Sequence, residues 1–126
     1  MNRRPLIAGN WKMHLTLSEA VHLAQTIAET SADCPDRDVL IAPAFTALAA
    51  VRAAVKGSAL LVGAQNVAWE NQGAFTGEIS PAMLGDLGIE PYIIEKCLNH
   101  KMQGVMGIYN RAEYEQERID AAIAWA

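Results

Sequence analysis

The sequence has few cysteines, few charges and no long apolar run, and each shortage excludes a class of protein. Its two cysteines, Cys34 and Cys97, lie far apart and form no metal-binding or redox motif, so we expect reduced thiols. No apolar stretch approaches the roughly 20 residues that span a bilayer. The N-terminus is not expected to be a secretory signal. Charged residues make up 19% of the chain and the net charge is −4, which gives no general attraction to nucleic acid or anionic membranes. We therefore expect a cytoplasmic location and no membrane partner.

Short apolar runs alternate with amphipathic segments along much of the chain. Continuous apolar runs predict buried strands at residues 5–9, 39–42 and 59–64. Thr16 and Glu19 have the spacing of a capping box, and apolar residues follow them at helical intervals. Thr46 is predicted to cap the second helix and Ser80 the third. This order predicts an α/β fold in which helices cover a sheet of parallel strands.

A long polar and aromatic loop runs from Gln65 to Ile79. Strand-to-helix connections usually have about 2–6 residues, so a loop of this length is typical of a functional segment. Phe75 lies near its tip and is expected to dock on a partner, because an exposed aromatic ring is unfavourable in water. The alternative is that Trp69 and Phe75 fold back on their own domain.

The segment Gly9-Asn10-Trp11-Lys12-Met13 follows the first predicted strand. In α/β folds, ligand sites collect at the carboxyl ends of the strands. We therefore expect Asn10 and Lys12 to project there, with the Lys12 ammonium suited to a small anionic substrate. The alternative is a surface lysine beside a turn asparagine. We predict no metal site and no cofactor.

This segment resembles the opening signature of the triosephosphate isomerase family, and the resemblance extends through residues 1–88. Three further segments match in order and spacing: Ala42-Pro43-Ala44-Phe45, Val62-Gly63-Ala64-Gln65-Asn66-Val67 and Gly73-Ala74-Phe75-Thr76-Gly77-Glu78-Ile79-Ser80. The resemblance implies a parallel (β/α)8 barrel, which takes about 250 residues, so we expect a partial barrel of about three βα units. The family interconverts glyceraldehyde 3-phosphate and dihydroxyacetone phosphate in glycolysis, by proton transfer through an enediol(ate).

The resemblance also implies roles for individual residues. Asn10 and Lys12 match substrate-binding positions, and Lys12 would stabilise the negative charge that develops on the substrate oxygen. The loop around Phe75, Thr76 and Gly77 would insert into the neighbouring subunit of a homodimer, where Thr76 supports the other active site. The family also uses a histidine electrophile in a Gly-His-Ser-Glu-Arg context, a glutamate base and glycine-rich phosphate loops, none of which follows in these 126 residues. Proton abstraction needs a base, so we expect little or no turnover by this chain alone.

A second pattern occupies the C-terminal segment. Its motifs are Pro91-Tyr92-Ile93-Ile94-Glu95-Lys96-Cys97-Leu98-Asn99-His100, Gly107-Ile108-Tyr109-Asn110-Arg111-Ala112 and Ala124-Trp125-Ala126. Residues 89–126 resemble the end of the catalytic domain of phage-type tyrosine recombinases (integrases). That resemblance implies that Tyr109 attacks a DNA phosphate and that His100 assists the transition state. The alternative, which we favour, is a helix-packing tyrosine and a turn histidine, because acidic residues outnumber basic ones in this segment.

The prediction is therefore a chain of two pieces. Residues 1–88 are expected to form the isomerase-like partial barrel, and residues 89–126 two helices of the recombinase type. Three hypotheses follow, in decreasing order: an isomerase-type fragment that binds triose phosphate weakly, a product without function, and a recombinase remnant that acts on DNA. An open sheet edge that invites aggregation would mark the second hypothesis.

Overall fold

A computed structural model describes residues 4–89 of the chain. Strands and helices alternate along this part: β1 (Leu6–Asn10), α1 (Leu17–Ser31), β2 (Asp38–Ala42), α2 (Phe45–Ala54), β3 (Leu61–Val62) and α3 (Pro81–Asp86). The three strands form one parallel sheet in the order β1-β2-β3. This arrangement confirms the predicted α/β fold of a partial (β/α)8 barrel. The two predicted C-terminal helices lie outside the described residues.

The hydrophobic core lies between one face of the sheet and the helices. Ile41 of β2 and Val62 of β3 belong to one buried cluster with Leu48 and Val51 of α2. The cluster also contains Ala20, Ala24, Ala47, Val55, Leu60, Ala64, Leu84 and Ile89. Side chains alternate between the two faces of a strand. The residues at the carboxyl ends of the strands that face away from these helices are therefore free to build a site.

Helix α1 begins with the predicted capping box. The Glu19 carboxylate accepts hydrogen bonds from the backbone N–H of Thr16 at 2.7 Å and from the Thr16 hydroxyl at 2.6 Å. The hydroxyl bond, followed by the backbone bond, lowers the pKa of Glu19 below its ordinary value, because both bonds favour the ionised carboxylate. The local sequence therefore fixes where the chain turns from the loop after β1 into α1.

Three sequence predictions about the elements need correction. Strand β3 covers Leu61–Val62 and not residues 59–64, because it pairs with β2 over two positions only. Helix α2 begins at Phe45 with Ala44 at the cap position, since the Ala47 N–H already bonds the Ala44 carbonyl at 2.9 Å; Thr46 lies inside the helix. Strand β1 is less buried than predicted: it pairs with one strand among the described residues, and Ile7 is 47% exposed.

Helix α3 follows the prediction at its start. The Ser80 hydroxyl accepts a hydrogen bond from the Met83 N–H at 3.2 Å, and Pro81 occupies the first helical position. Leu84 points into the core, whereas Met83 is exposed. Within residues 4–89, no helix has both the length and the apolar character needed to cross a bilayer.

Candidate functional site

The carboxyl ends of the three strands meet at one edge of the sheet. Asn10 is the last residue of β1 and pairs in register with Ala42, the last residue of β2. The Trp11 N–H donates to the Ala42 carbonyl at 3.0 Å, which extends the pairing one step beyond the strands. Gly63 continues from β3 by donating its N–H to the Ile41 carbonyl at 2.9 Å. The loops that follow β1 and β3 therefore leave the sheet at the same edge, on either side of β2, and this is the edge where parallel βα folds place their ligand sites.

Lys12 lies in the loop after β1 with an uncommon backbone conformation. Its φ is +53°, in the left-handed region that residues other than glycine seldom adopt. The Asn10 side-chain oxygen accepts a hydrogen bond from the Lys12 N–H at 2.8 Å, and this bond holds the turn. Leu15, three residues later, also has a positive φ, of +75°. Strained backbone of this kind clusters at functional sites, which makes the loop after β1 a candidate for a functional segment.

The Lys12 side chain is exposed to solvent. Among residues 4–89, the ion pairs are Arg4 with Asp38 at 3.2 Å and Arg37 with Asp36 at 2.7 Å. Asp38 begins β2, so these pairs lie at the opposite end of the sheet from Lys12. In the described part of the chain, the Lys12 ammonium is therefore available to an anion that approaches the carboxyl ends of the strands.

Gln65 joins the loops after β1 and β3 and was not singled out from the sequence. Its side-chain Nε2 donates to the Lys12 carbonyl at 2.7 Å and to the Ala42 carbonyl at 3.0 Å. Both acceptors are backbone atoms far away in sequence, so no local pattern marks the residue. Its sequence signals are its place in the family-like motif Val62-Gly63-Ala64-Gln65-Asn66-Val67 and its position after the third predicted strand, at the edge where ligand sites form.

The long loop between Gln65 and Ile79 is closed at its base. The Asn66 side-chain amide donates to the Glu78 carboxylate at 2.9 Å, and the Ala68 N–H donates to the Ile79 carbonyl at 2.7 Å. The loop contains no helix or strand, as its composition predicts. These two hydrogen bonds tie the two ends of the loop together at its base.

The tip of this loop is a tight turn. The Glu78 N–H bonds the Phe75 carbonyl at 3.1 Å, and Gly77, the third residue of the turn, has a φ of +89°. A glycine suits this position because a side chain there would be strained. Thr76 is exposed, and the Phe75 ring is 52% exposed while it also contacts Gly73. Trp69 is 59% exposed, so neither aromatic ring is buried in its own domain.

The structure thus brings together some of the predicted site residues. Asn10 and Lys12 are hydrogen bonded to each other, whereas Phe75, Thr76 and Gly77 form a separate exposed tip. His100 and Tyr109, the residues of the recombinase hypothesis, lie outside the described residues. Within residues 4–89, no group of three or more His, Cys, Asp or Glu side chains is placed to hold a metal ion.

Comparison with known proteins agrees with this geometry. The profile of the triosephosphate isomerase family matches residues 5–101. The chain belongs to the triosephosphate isomerase family. Its relatives include the triosephosphate isomerase of Syntrophotalea carbinolica, with 52% identity over 92 residues, and that of Herpetosiphon aurantiacus, with 49% identity over 92 residues. In both comparisons the match covers 73% of this chain and 36% of the relative.

The family match passes the boundary at residue 88 that the sequence motifs suggest. It ends at residue 101, and the alignment with the triosephosphate isomerase of Carboxydothermus hydrogenoformans, at 41% identity, covers 98% of this chain. That alignment covers 47% of the relative, so the chain spans less than half the length of these three family members. The division at residue 88 and the recombinase-like segment remain predictions.

Proposed function

We propose that this chain carries the lysine side of a triosephosphate isomerase site and binds triose phosphate through Asn10 and Lys12. The observation that carries the proposal is the exposed Lys12 ammonium at the converging strand ends, on a backbone held in a strained turn by Asn10. In proton transfer through an enediol(ate), negative charge develops on a substrate oxygen. A fixed ammonium beside that oxygen stabilises the transition state more than the ground state.

We further propose that the 126-residue chain alone converts little or no triose phosphate. Asn10 and Lys12 supply charge stabilisation, and neither is the glutamate base that the family uses for the substrate proton. The glutamate base and the histidine electrophile of the family would have to come from the remaining barrel. Without a base, the central step of the reaction loses its proton acceptor.

Complementation tests this proposal. The 126-residue chain is mixed with a fragment of the Carboxydothermus hydrogenoformans enzyme that contains the rest of its barrel, and isomerase activity is measured with each piece alone and with both. We expect activity only in the mixture, and we expect it to disappear when the chain carries Lys12→Ala. Activity that is the same with the Lys12→Ala chain would contradict the assignment of Lys12.

The proposal extends to the loop tip. Phe75, Thr76 and Gly77 form an exposed turn on a loop that is tied at its base, which suits insertion into a second copy of the chain. Burial of the Phe75 ring, which is 52% exposed, would supply apolar area to such a contact. Sedimentation velocity over a concentration series tests this: Phe75→Ser is expected to weaken self-association, whereas Leu23→Gln, an exposed change on α1, is not. Equal association of both variants would exclude the tip as the contact.

The second function that the sequence suggests concerns DNA. Tyr109 would attack a scissile phosphate and form a phosphotyrosyl bond, with His100 assisting. A nicked DNA substrate that traps such a bond would give a covalent adduct with the chain and none with Tyr109→Phe. An adduct that persists in Tyr109→Phe would rule out this tyrosine. We rank this function below the isomerase-type proposal, because the family match carries the latter.

A further inference from the structure

The amide nitrogen of the Gln65 side chain donates both of its hydrogens to backbone carbonyls of other segments. A side-chain NH2 group has two donors, and here one bonds the Lys12 carbonyl at 2.7 Å and the other the Ala42 carbonyl at 3.0 Å. The Ala42 carbonyl also accepts the Trp11 N–H at 3.0 Å. Gln65 is half-buried, so water competes less for these bonds than at the open surface. The side chain therefore fastens the loop after β1 to the end of β2.

Lys12 is consequently held on both sides of its strained φ. On its amino side the Lys12 N–H bonds the Asn10 side chain, and on its carboxyl side the Lys12 carbonyl bonds Gln65. A φ of +53° is unfavourable for lysine without such support, because Cβ then crowds the neighbouring carbonyl oxygen. Asn10 acts within the same loop, whereas Gln65 anchors that loop to the sheet. The two bonds thus restrain the backbone that carries the Lys12 side chain.

We propose that Gln65 is a positioning residue for Lys12: it holds the Lys12 backbone in its left-handed conformation and so aims the ammonium at the anionic substrate. This inference rests on the proposed function for its consequence, the binding of triose phosphate. Its structural part, the control of the Lys12 backbone, can be measured independently. Gln65 itself acts through the backbone and needs no contact with substrate.

Gln65→Met is the informative variant, because methionine has a similar length and shape but no N–H donor. Asn66→Leu is the matched control, since Asn66 is the next residue and its amide bonds Glu78 within the long loop, away from Lys12. The first measurement is the nuclear Overhauser effect between the Lys12 amide proton and its own Hα, which is strong only when φ is positive. The second is the Kd of the chain for dihydroxyacetone phosphate.

In Gln65→Met we expect the strong Lys12 Overhauser effect to fade and the Kd to rise about fivefold, the equivalent of the lost hydrogen bond to the Lys12 carbonyl. Asn66→Leu should leave both unchanged. Urea midpoints of the two variants show whether a change comes from general loss of stability. If Gln65→Met does not fold, Gln65→Asn replaces it, because its amide is one methylene too short to reach both carbonyls and the same losses are expected.

The two proposals fail in different ways. If the parent chain does not bind dihydroxyacetone phosphate, the proposed function fails, and the Overhauser effect alone decides whether Gln65 sets the Lys12 backbone. If the parent chain binds and Gln65→Met keeps both the strong Overhauser effect and the parent Kd, the positioning role of Gln65 is overturned. A raised Kd with an unchanged Overhauser effect also overturns it, because Lys12 would then keep its conformation without Gln65.

Discussion

Replacing Lys12 with glycine should stabilise the fold relative to replacing it with alanine. Lys12 has a φ of +53°, and a residue with a Cβ atom in that region costs about 1–2 kcal/mol. Alanine keeps this cost, and glycine removes it. Glycine also has greater freedom in the unfolded chain, which offsets about 0.4–1 kcal/mol of this stabilisation. Because the side chain is exposed and its packing contributes little, we expect Lys12→Gly to be more stable than Lys12→Ala by about 0.5–1 kcal/mol.

Urea denaturation, followed by circular dichroism and tryptophan fluorescence, measures this difference. With a slope of about 1–3 kcal/mol/M, the midpoint of Lys12→Gly should lie a few tenths of a molar above that of Lys12→Ala, with the slope unchanged. Lys56 is the control position, because it is exposed, follows α2 and does not have a positive φ. There the order should reverse, with glycine less stable than alanine. If Lys12→Gly is no more stable than Lys12→Ala, the backbone of Lys12 is not strained and the reasoning fails.

Three other predictions test the core, the site and the cap. Leu48 is 2% exposed, so Leu48→Ala should lower the free energy of unfolding by about 3 kcal/mol in the urea assay. Leu23 is 37% exposed, and Leu23→Ala should lower it by about 1 kcal/mol or less. Equal losses in the two variants would contradict the assigned core. Asn10→Asp keeps an acceptor for the Lys12 N–H but adds negative charge beside the substrate, so calorimetry should detect weaker triose phosphate binding with little change in stability, and unchanged binding would argue against an anion site. The Glu19 pKa is lowered in the folded state, so its stabilisation is present above the ordinary value of 4.5 and is lost as pH falls through the lower folded value. The urea midpoint of Glu19→Gln should therefore fall less than that of the parent between pH 5 and pH 3. If the two midpoints fall equally with pH, the Glu19 carboxylate does not stabilise the start of α1.

Much of the fold can be predicted from local sequence. The apolar runs locate the strands because parallel strands buried on both faces need continuous apolar residues. The capping box at Thr16 and the Ser80 cap mark where helices start, since each satisfies backbone amides within three residues. Element ends that depend on pairing were wrong: β3 is limited to Leu61–Val62 by its register with β2, which no local pattern records.

The site is predictable in part. Asn10 and Lys12 were singled out because they follow an apolar run within a family signature, and the structure places both at the carboxyl end of β1. The positive φ of Lys12 has no local signal, because lysine is not a residue that favours it. Gln65 was not singled out, for a related reason. Its hydrogen bonds go to carbonyls of two other segments, which approach it only after the strands have paired in register.

The most direct test of the account is a titration of the 126-residue chain with dihydroxyacetone phosphate, followed by calorimetry, for the parent, Lys12→Ala and Lys56→Ala. Lys56 is an exposed lysine outside the proposed site and controls for the loss of one positive charge. The account predicts saturable binding by the parent and by Lys56→Ala, and loss of that binding in Lys12→Ala. No binding by a folded parent chain, or equal binding by all three proteins, would contradict it.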